Sequence, residues 1–362
     1  MEKAQRKDGQ SYAPIGAVNH VCKPGEFSIG AVGLDHGHIY GMCNGLVEAG
    51  ATVDLVWDRD QEKVKKFQQQ FPSAQAAESP EAVYESEKIK LIATAAIPSD
   101  RTGIAVEAMK HGKHAFSDKP GSVSLDQLEQ LRGVTRETGM HYAIYFSERL
   151  HVAAATYADE LLKEGKIGRV IQVIVLGPHR LSAATRPDWF FDKSRFGGIL
   201  TDIGSHQIDQ ILHYSGAENA HIVHSRVANY ATKQYPEFED FGDALLQCDN
   251  GATGYFRVDW FTPDGLSAWG DGRTIILGTD GYIELRKYVD LARHDRGDYV
   301  YMSNKEGEFC FDAEGAGYPF FGRFIRDCLD GTYHAIGQDY TFKVMELAVC
   351  AEKNAVRVEA NR

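Results

Sequence analysis

From Phe27 onward, short apolar runs alternate with amphipathic stretches long enough to be helices, and this rhythm constrains the fold more than any other feature of the chain. Phe27 to Val32 reads as a strand, Ile39 to Ala49 as a helix, Thr52 to Trp57 as a strand and Glu62 to Gln70 as a helix. Leu91 to Ala95, His114 to Phe116 and His141 to Tyr145 read as further strands, separated by helices at Thr102 to His111 and Leu125 to Thr138. Strands joined through helices of this length pair in parallel, because each crossover must return to the same edge direction. Residues 27–146 are therefore expected to form a doubly wound α/β domain.

After Phe146 the rhythm changes. A helix, Val152 to Lys163, leads to a strand, Val170 to Leu176, and then strands follow one another: Ile222 to Tyr230, Ala244 to Cys248, Thr253 to Trp260, Thr274 to Leu277 and Tyr282 to Tyr288. Runs of strands without intervening helices imply a large, mainly antiparallel sheet, so residues 147–362 are expected to be an α+β domain. Helices near Phe320 to Leu329 and Phe342 to Asn354 close the chain, with the C-terminal helix expected against the first domain. Residues 1–26 carry Gly9, Pro14, Gly16, Pro24 and Gly25 without periodicity and read as an arm.

Bulk properties narrow the function classes. A chain of 362 residues exceeds one compact core and suggests two domains. A formal net charge of −12 argues against a nucleic-acid surface. No apolar run approaches membrane-spanning length, and Met1 to Gln10 lacks the apolar core of a secretory signal. The six cysteines are scattered without a Cys-x-x-Cys pair, as in reduced thiols. The expectation is a cytoplasmic protein that meets a small molecule, with no membrane or nucleic-acid partner.

Three local motifs carry chemistry. Gly33-Leu34-Asp35-His36-Gly37-His38 lies where the first strand turns into a helix. A glycine there lets backbone approach a pyrophosphate, and the helix start offers N–H groups to it. Asp58, at the end of the second strand, stands where a carboxylate accepts from a ribose hydroxyl and repels a 2′-phosphate, which favours NAD. Arg59 beside it can stack on adenine or tolerate that phosphate. Asp35 would place negative charge near the pyrophosphate unless its side chain turns away. His36 and His38 lack a further His/Cys cluster nearby and read as capping or packing residues, with no metal expected. Asp118-Lys119-Pro120 follows a strand end, where open α/β sheets place ligands. Gly197-Gly198-Ile199-Leu200-Thr201-Asp202-Ile203-Gly204-Ser205-His206-Gln207-Ile208-Asp209 reads as a glycine turn and a helix start, with Asp202 and His206 one turn apart on one face. A carboxylate beside an imidazole is a proton-transfer pair.

Together the three motifs resemble the oxidoreductase family named for glucose-fructose oxidoreductase, inositol dehydrogenase and the rhizopine-catabolism protein MocA. That family pairs a nucleotide turn with Glu-Lys-Pro and with Gly-Gly-x-Leu-x-Asp-x-Gly-x-His-x-x-Asp, and the last motif matches here at every fixed position. Asp118 replaces the usual Glu, and Asp35 the usual second glycine. The resemblance implies an N-terminal Rossmann domain that binds NAD, with NADP possible, and a dehydrogenase acting on a secondary hydroxyl of a sugar, glycoside or cyclitol. It divides the proton role between Lys119 and His206, with Asp202 orienting the site. Gly33, Asp35, His36, His38, Asp58, Arg59, Arg101 and Lys119 would face the cofactor; Arg101 stands where many members carry His, so contacts there are expected to differ. Arg149, His179, Arg180 and Trp189, with Asp202 and His206, are the candidate substrate contacts, each of the first four being as readily a structural ion pair or a core aromatic. A broad antiparallel sheet needs cover, so a homodimer or homotetramer is expected. Two rival readings share the fold: a glycosidase that uses NAD for transient oxidation and elimination, and a non-catalytic sugar sensor.

Overall fold

The computed structural model describes residues 9–16, 20–291 and 296–359. They fall into two compact units, one of Gln10–Tyr145 with Tyr318–Phe342, the other built mainly from Phe146–Gly317 and the chain from Lys343.

The first unit is a six-stranded parallel sheet of β1 (Ser28–Val32), β2 (Thr52–Trp57), β3 (Gln75–Ala76), β4 (Ile89–Thr94), β5 (His114–Asp118) and β6 (Tyr142–Tyr145), in the order β3-β2-β1-β4-β5-β6. This is the doubly wound dinucleotide order, in which the switch point lies between β1 and β4. All five residues of β1 are buried, as expected of a central strand covered on both faces. The crossovers are α1 (His38–Glu48), α2 (Gln61–Gln70), α3 (Pro80–Glu85), α4 (Pro98–Lys110) and α5 (Leu125–Thr138). Local chemistry sets their ends. Ser124 accepts from the Gln127 amide to start α5, and Gly139, at φ 69°, stops it in the left-handed conformation. The arm belongs to this unit: a Cβ at Gly37 would lie 2.2 Å from the Gln10 carbonyl oxygen, so Gln10 crosses directly over the start of α1. The unit also takes α11 (Pro319–Asp330), whose Phe321 ring fills the space that a Cβ at Gly45 of α1 would need.

The second unit opens with α6 (Ser147–Leu150) and α7 (Ala153–Lys163) and is built on a nine-stranded mixed sheet. Its strands are β7 (Val170–Pro178), β8 (Ala220–Ala228), β9 (Phe241–Cys248), β10 (Thr253–Asp259), β11 (Arg273–Gly278), β12 (Gly281–Arg286), β13 (Tyr299–Asn304), β14 (Gly307–Asp312) and β15 (Val356–Val358). The order is β14-β13-β12-β11-β7-β10-β9-β8-β15. Most pairs are antiparallel, but β7 runs parallel to β10, and β15 parallel to β8. Three short helices follow β7: α8 (Lys193–Phe196), α9 (Ile199–Asp202) and α10 (Gly204–Ser215). Helix α10 covers one sheet face, over Val173, Val175, Phe256 and Ile276, all fully buried. The opposite face carries Leu245, Leu277 and Tyr282, which stay exposed.

The turn into α9 is held by two buried carboxylates from distant parts of the chain. Gly197 and Gly198 sit at φ 89° and 90°. Glu239 Oε2 accepts the Ile199 amide at 3.0 Å and Glu352 Oε2, from α12 (Gln338–Lys353), accepts the Leu200 amide at 2.9 Å. Lys193 Nζ bridges the two acids at 2.5 and 2.6 Å. A Cβ on Gly198 would lie 2.2 Å from the Glu352 carboxyl carbon, so only glycine lets the carboxylate reach the amide. Burial and the neighbouring Glu239 push the Glu352 carboxyl up to about 7, against the pull of Lys193.

A group whose folded value is raised favours the fold while protonated, and that contribution disappears as pH rises through its folded value. From pH 5 to 8 the wild type is therefore predicted to lose on the order of 2 kcal/mol of stability relative to Glu352→Gln, which cannot ionise. Urea unfolding of both proteins across that range checks this, and parallel stability curves would refute it.

Candidate functional site

In the first unit the chain leaves β1 at Gly33, φ 78°, where a Cβ would meet the Ala96 methyl at 2.6 Å. The next amide, Leu34, donates to Asp58 Oδ2 at 2.7 Å, and Asp58 Oδ1 accepts the Asp60 amide at 2.8 Å. Asp58 is thus buried and lashes the end of β1 to the end of β2, with lone pairs left on each oxygen. Arg59, the next residue, is exposed. Asp35 turns to Lys63, whose Nζ lies 2.5 Å from Oδ1, so the charge that the sequence sets near the nucleotide turn is met by a cation. Helix α1 starts at Gly37 with no side-chain cap and no acid in its first turn.

Asp118 is the hub of this unit. Its Oδ1 meets His38 Nδ1 at 2.8 Å and accepts the Lys119 amide at 2.8 Å; its Oδ2 lies 3.3 Å from His36 Nδ1 and accepts from Arg101 Nη2 at 3.0 Å. Burial alone would push this carboxyl up, but His38, Arg101 and His36 hold it well below the usual carboxylate range. Burial drives the His36 imidazole down to about 3, with His38 adding to the effect, so His36 is neutral at physiological pH. The ligand atoms of His36, His38 and Asp118 lie within 4.8 Å of one another, a donor set that a metal ion also uses; here the Arg101 guanidinium supplies the positive charge on the carboxylate.

Arg101 differs from the sequence expectation of a cofactor contact. It is 1% exposed and donates to the carbonyls of Ala96 at 2.7 Å, Pro120 at 3.1 Å and Lys119. Its guanidinium fixes the 118–120 turn from inside, leaving it no face for a ligand. The Lys119–Pro120 peptide is cis, and Lys119 is buried just beyond β5.

In the second unit Asp202 ends α9 and is half-buried, while His206 lies in the first turn of α10 and is buried. The sequence suggests one helix; the structure tightens it at Ile203, where the His206 amide donates to the Ile203 carbonyl at 3.0 Å. The buried side of α10 is polar. Arg149 Nε and Nη2 both donate to Asp209, each at 2.7 Å, with Asp209 fully buried. Arg149, a candidate substrate contact in the sequence, here anchors the last Asp of the motif. Glu148 Oε2 accepts from Gln207 Nε2 at 3.0 Å and from Lys287 Nζ at 3.1 Å. Gln210 Oε1 accepts from Lys287 at 2.9 Å and Thr274 at 2.7 Å, and its amide donates to the His206 carbonyl at 3.1 Å.

His179 follows β7, with its ring centroid 4.5 Å from that of Trp269 and 5.4 Å from that of Trp260. Arg180 donates to the carbonyls of Pro263 and Leu266, both at 2.8 Å. It ties down that loop, the structural role that the sequence left open beside a substrate contact. Trp189 is half-buried at the rim of a cluster in which Phe190, Phe196, Phe238 and Trp260 form the core. Sequence reading missed Glu148, Lys193, Glu239, Lys287 and Glu352. Each is a charged residue paired with a partner far away in sequence, and none leaves a periodic signal.

Comparison with known proteins agrees with this arrangement. The family model described as the oxidoreductase family with an NAD-binding Rossmann fold matches residues 29–146, and the GFO/IDH/MocA C-terminal domain matches residues 156–284. The chain is 26% identical over 251 residues to scyllo-inositol 2-dehydrogenase (NAD(+)) of Bacillus subtilis, covering 68% of each protein. It is 24% identical over 155 residues to D-xylose dehydrogenase of Paenarthrobacter nicotinovorans, covering 41% of this chain and 39% of that one. A crystal structure from Erwinia carotovora atroseptica SCRI1043, with only a provisional oxidoreductase label, is 48% identical, with a TM-score of 0.89 over 92% of this chain and 100% of that one. With both domains matched in order, the chain belongs to the Gfo/Idh/MocA family of NAD(P)-binding oxidoreductases.

Proposed function

We propose that the protein is an NAD-preferring dehydrogenase that oxidises a secondary hydroxyl of a neutral polyol, a sugar, glycoside or cyclitol. The observation that carries this reading is His206, a buried imidazole fixed on α10 one turn after Asp202. The names of the inositol and xylose dehydrogenases among its relatives support the substrate class.

The first unit suits a dinucleotide: an acid-free start of α1, a glycine turn at Gly33, and Asp58 at the end of β2. When bound, NAD supplies the acceptor for the hydride that leaves the carbinol carbon. His206 takes the hydroxyl proton. The family resemblance gives Lys119 a share in the proton transfer. Asp202 orients the substrate by accepting from a neighbouring hydroxyl. Self-association through the exposed Leu245, Leu277 and Tyr282 face completes the reading, with a homodimer or homotetramer expected by light scattering.

His206→Asn is predicted to cut kcat by ~10²–10⁴, the usual contribution of a positioned acid–base group, and to remove the acid limb of the kcat/KM profile. Lys119→Ala should lower turnover in the same range with NAD affinity little changed. NADH formation across a panel of inositols, pentoses and glycosides reads both, and near-wild-type turnover in either variant would refute its role. Cleavage of a glycoside without net NADH would favour elimination chemistry instead.

Asp58→Ala is expected to weaken NAD binding and to narrow the gap between NAD and NADP. The structure adds a second effect, since the substitution also removes the acceptor for the Leu34 amide. Titration of both cofactors against both proteins decides, and tighter NADP binding by the wild type would overturn the NAD preference.

A further inference from the structure

Glu148, on α6, is 2% exposed, and its two carboxylate oxygens differ in their surroundings. Oε2 takes Lys287 Nζ at 3.1 Å and Gln207 Nε2 at 3.0 Å. Oε1 has no hydrogen-bond partner among the described residues; His179 Nε2 lies 3.8 Å from it. The other nitrogen of that ring, Nδ1, lies 3.1 Å from the Gly177 carbonyl oxygen. A carbonyl only accepts, so Nδ1 carries a proton. If the ring were neutral, Nε2 would then aim its lone pair at a carboxylate, which repels. A second proton on Nε2 turns the contact into an imidazolium facing a carboxylate.

The same carboxylate reaches the backbone of the proposed base. Gln207, which Glu148 holds, is the neighbour of His206. Lys287, which Glu148 also holds, fixes Gln210, and Gln210 in turn donates to the His206 carbonyl. The ring of His206 stands edge-on to Phe146, two residues before Glu148, with centroids 6.4 Å apart.

We propose that Glu148 is the positioning residue of the His206 base: its carboxylate acts on the His179 and His206 rings, and its hydrogen bonds fix where α10 presents His206. The proposal rests on the reading of His206 as the base. Burial would push the Glu148 carboxyl up, yet Lys287, His206 and His179 hold it at about 2, so it is charged throughout the working range. Burial pushes the Lys287 ammonium down while Glu148 and Asp209 oppose this. Of the other charged groups packed around α10, Asp209 is matched by Arg149, and Asp202 lies half-buried one turn before His206. Among the described residues, Glu148 is a buried carboxylate with one oxygen not taken up by a hydrogen bond.

The test is an NMR titration of the full chain with ring-labelled histidine, the His206 and His179 signals being assigned from His206→Asn and His179→Asn spectra. In Glu148→Gln both midpoints are expected to fall by about one unit or more, since a nearby opposite charge is lost. Glu148→Asp should recover most of that shift, which a purely structural role would not do. Removing one partner of a buried pair can prevent folding, so Glu148→Gln/Lys287→Met is titrated beside it. Its midpoints should fall in the same direction by a smaller amount. The acid limb of kcat/KM on a panel of inositols should move with the His206 midpoint. Unchanged midpoints in Glu148→Gln, or in the double variant if the single one does not fold, would overturn the proposal. If the wild type oxidises no polyol while the midpoints still fall, the dehydrogenase reading is lost and the action of Glu148 on the two imidazoles stands.

Discussion

The bidentate contact between Arg149 and Asp209 is the constraint on which the second unit depends. Two N–H···O bonds of 2.7 Å, almost fully removed from water, fix both the rotation and the height of α10 against α6. An apolar helix face tolerates sliding, because dispersion contacts are non-directional. A fork on a carboxylate does not. With Asp209 fixed, Gln207 and Gln210 fall opposite Glu148 and Lys287, and the His206 carbonyl falls within reach of the Gln210 amide. Buried ion pairs of this kind add little net stability over well-packed hydrocarbon, whereas breaking one costs about 3–5 kcal/mol. Their contribution here is register, which sets where α10 holds His206.

Asp118 does corresponding work in the first unit. Four nitrogens converge on it, from α4, from the glycine turn, from the start of α1 and from its own strand end. The family's usual Glu is one methylene longer. The shorter Asp118 is matched by Arg101, whose length lets it span from the carboxylate to three carbonyls around the 118–120 turn. The shortened acid and Arg101, which stands where many members carry His, therefore form one compensated unit. Asp35 is compensated in the same manner by Lys63.

Much of this was legible in the sequence where the signal is local. Helix α5 runs Leu125–Thr138, the span read from its periodicity, because Ser124 and Gly139 mark its ends chemically. The hairpin of β13 and β14 escaped notice because its alternation is diluted: β14 reads Gly-Glu-Phe-Cys-Phe-Asp and has no fully buried position. The parallel pairing of β7 with β10 is a long-range choice that no window of sequence contains. The site divides along the same line. Lys119, Asp202 and His206 lie within short motifs, but Glu148 meets Lys287 across 139 residues and Glu352 meets Leu200 across 152. Arg149, Arg180 and Arg101 show the limit in the other direction. An arginine near a strand end looks the same in sequence whether it meets a ligand or a carbonyl, and burial decides between them.

Acidic composition has a corresponding double meaning. A net charge of −12 read from sequence suggests a solvated acidic surface, yet several of these carboxylates are interior. Asp58, Glu239, Asp240 and Glu352 all accept backbone amides at turns or helix starts. A carboxylate suits this task better than a hydroxyl, since its two oxygens take several N–H groups and its charge answers the positive end of a helix. The cost is desolvation, and it falls unevenly. Asp118 and Glu148 have cations or imidazoles beside them and remain charged. Glu239 and Glu352 share Lys193 as their close cation, and there the shortfall appears as a carboxyl raised to about 7. The turn that launches the Asp202/His206 segment is thus a place where the balance of buried charge changes within the physiological pH range.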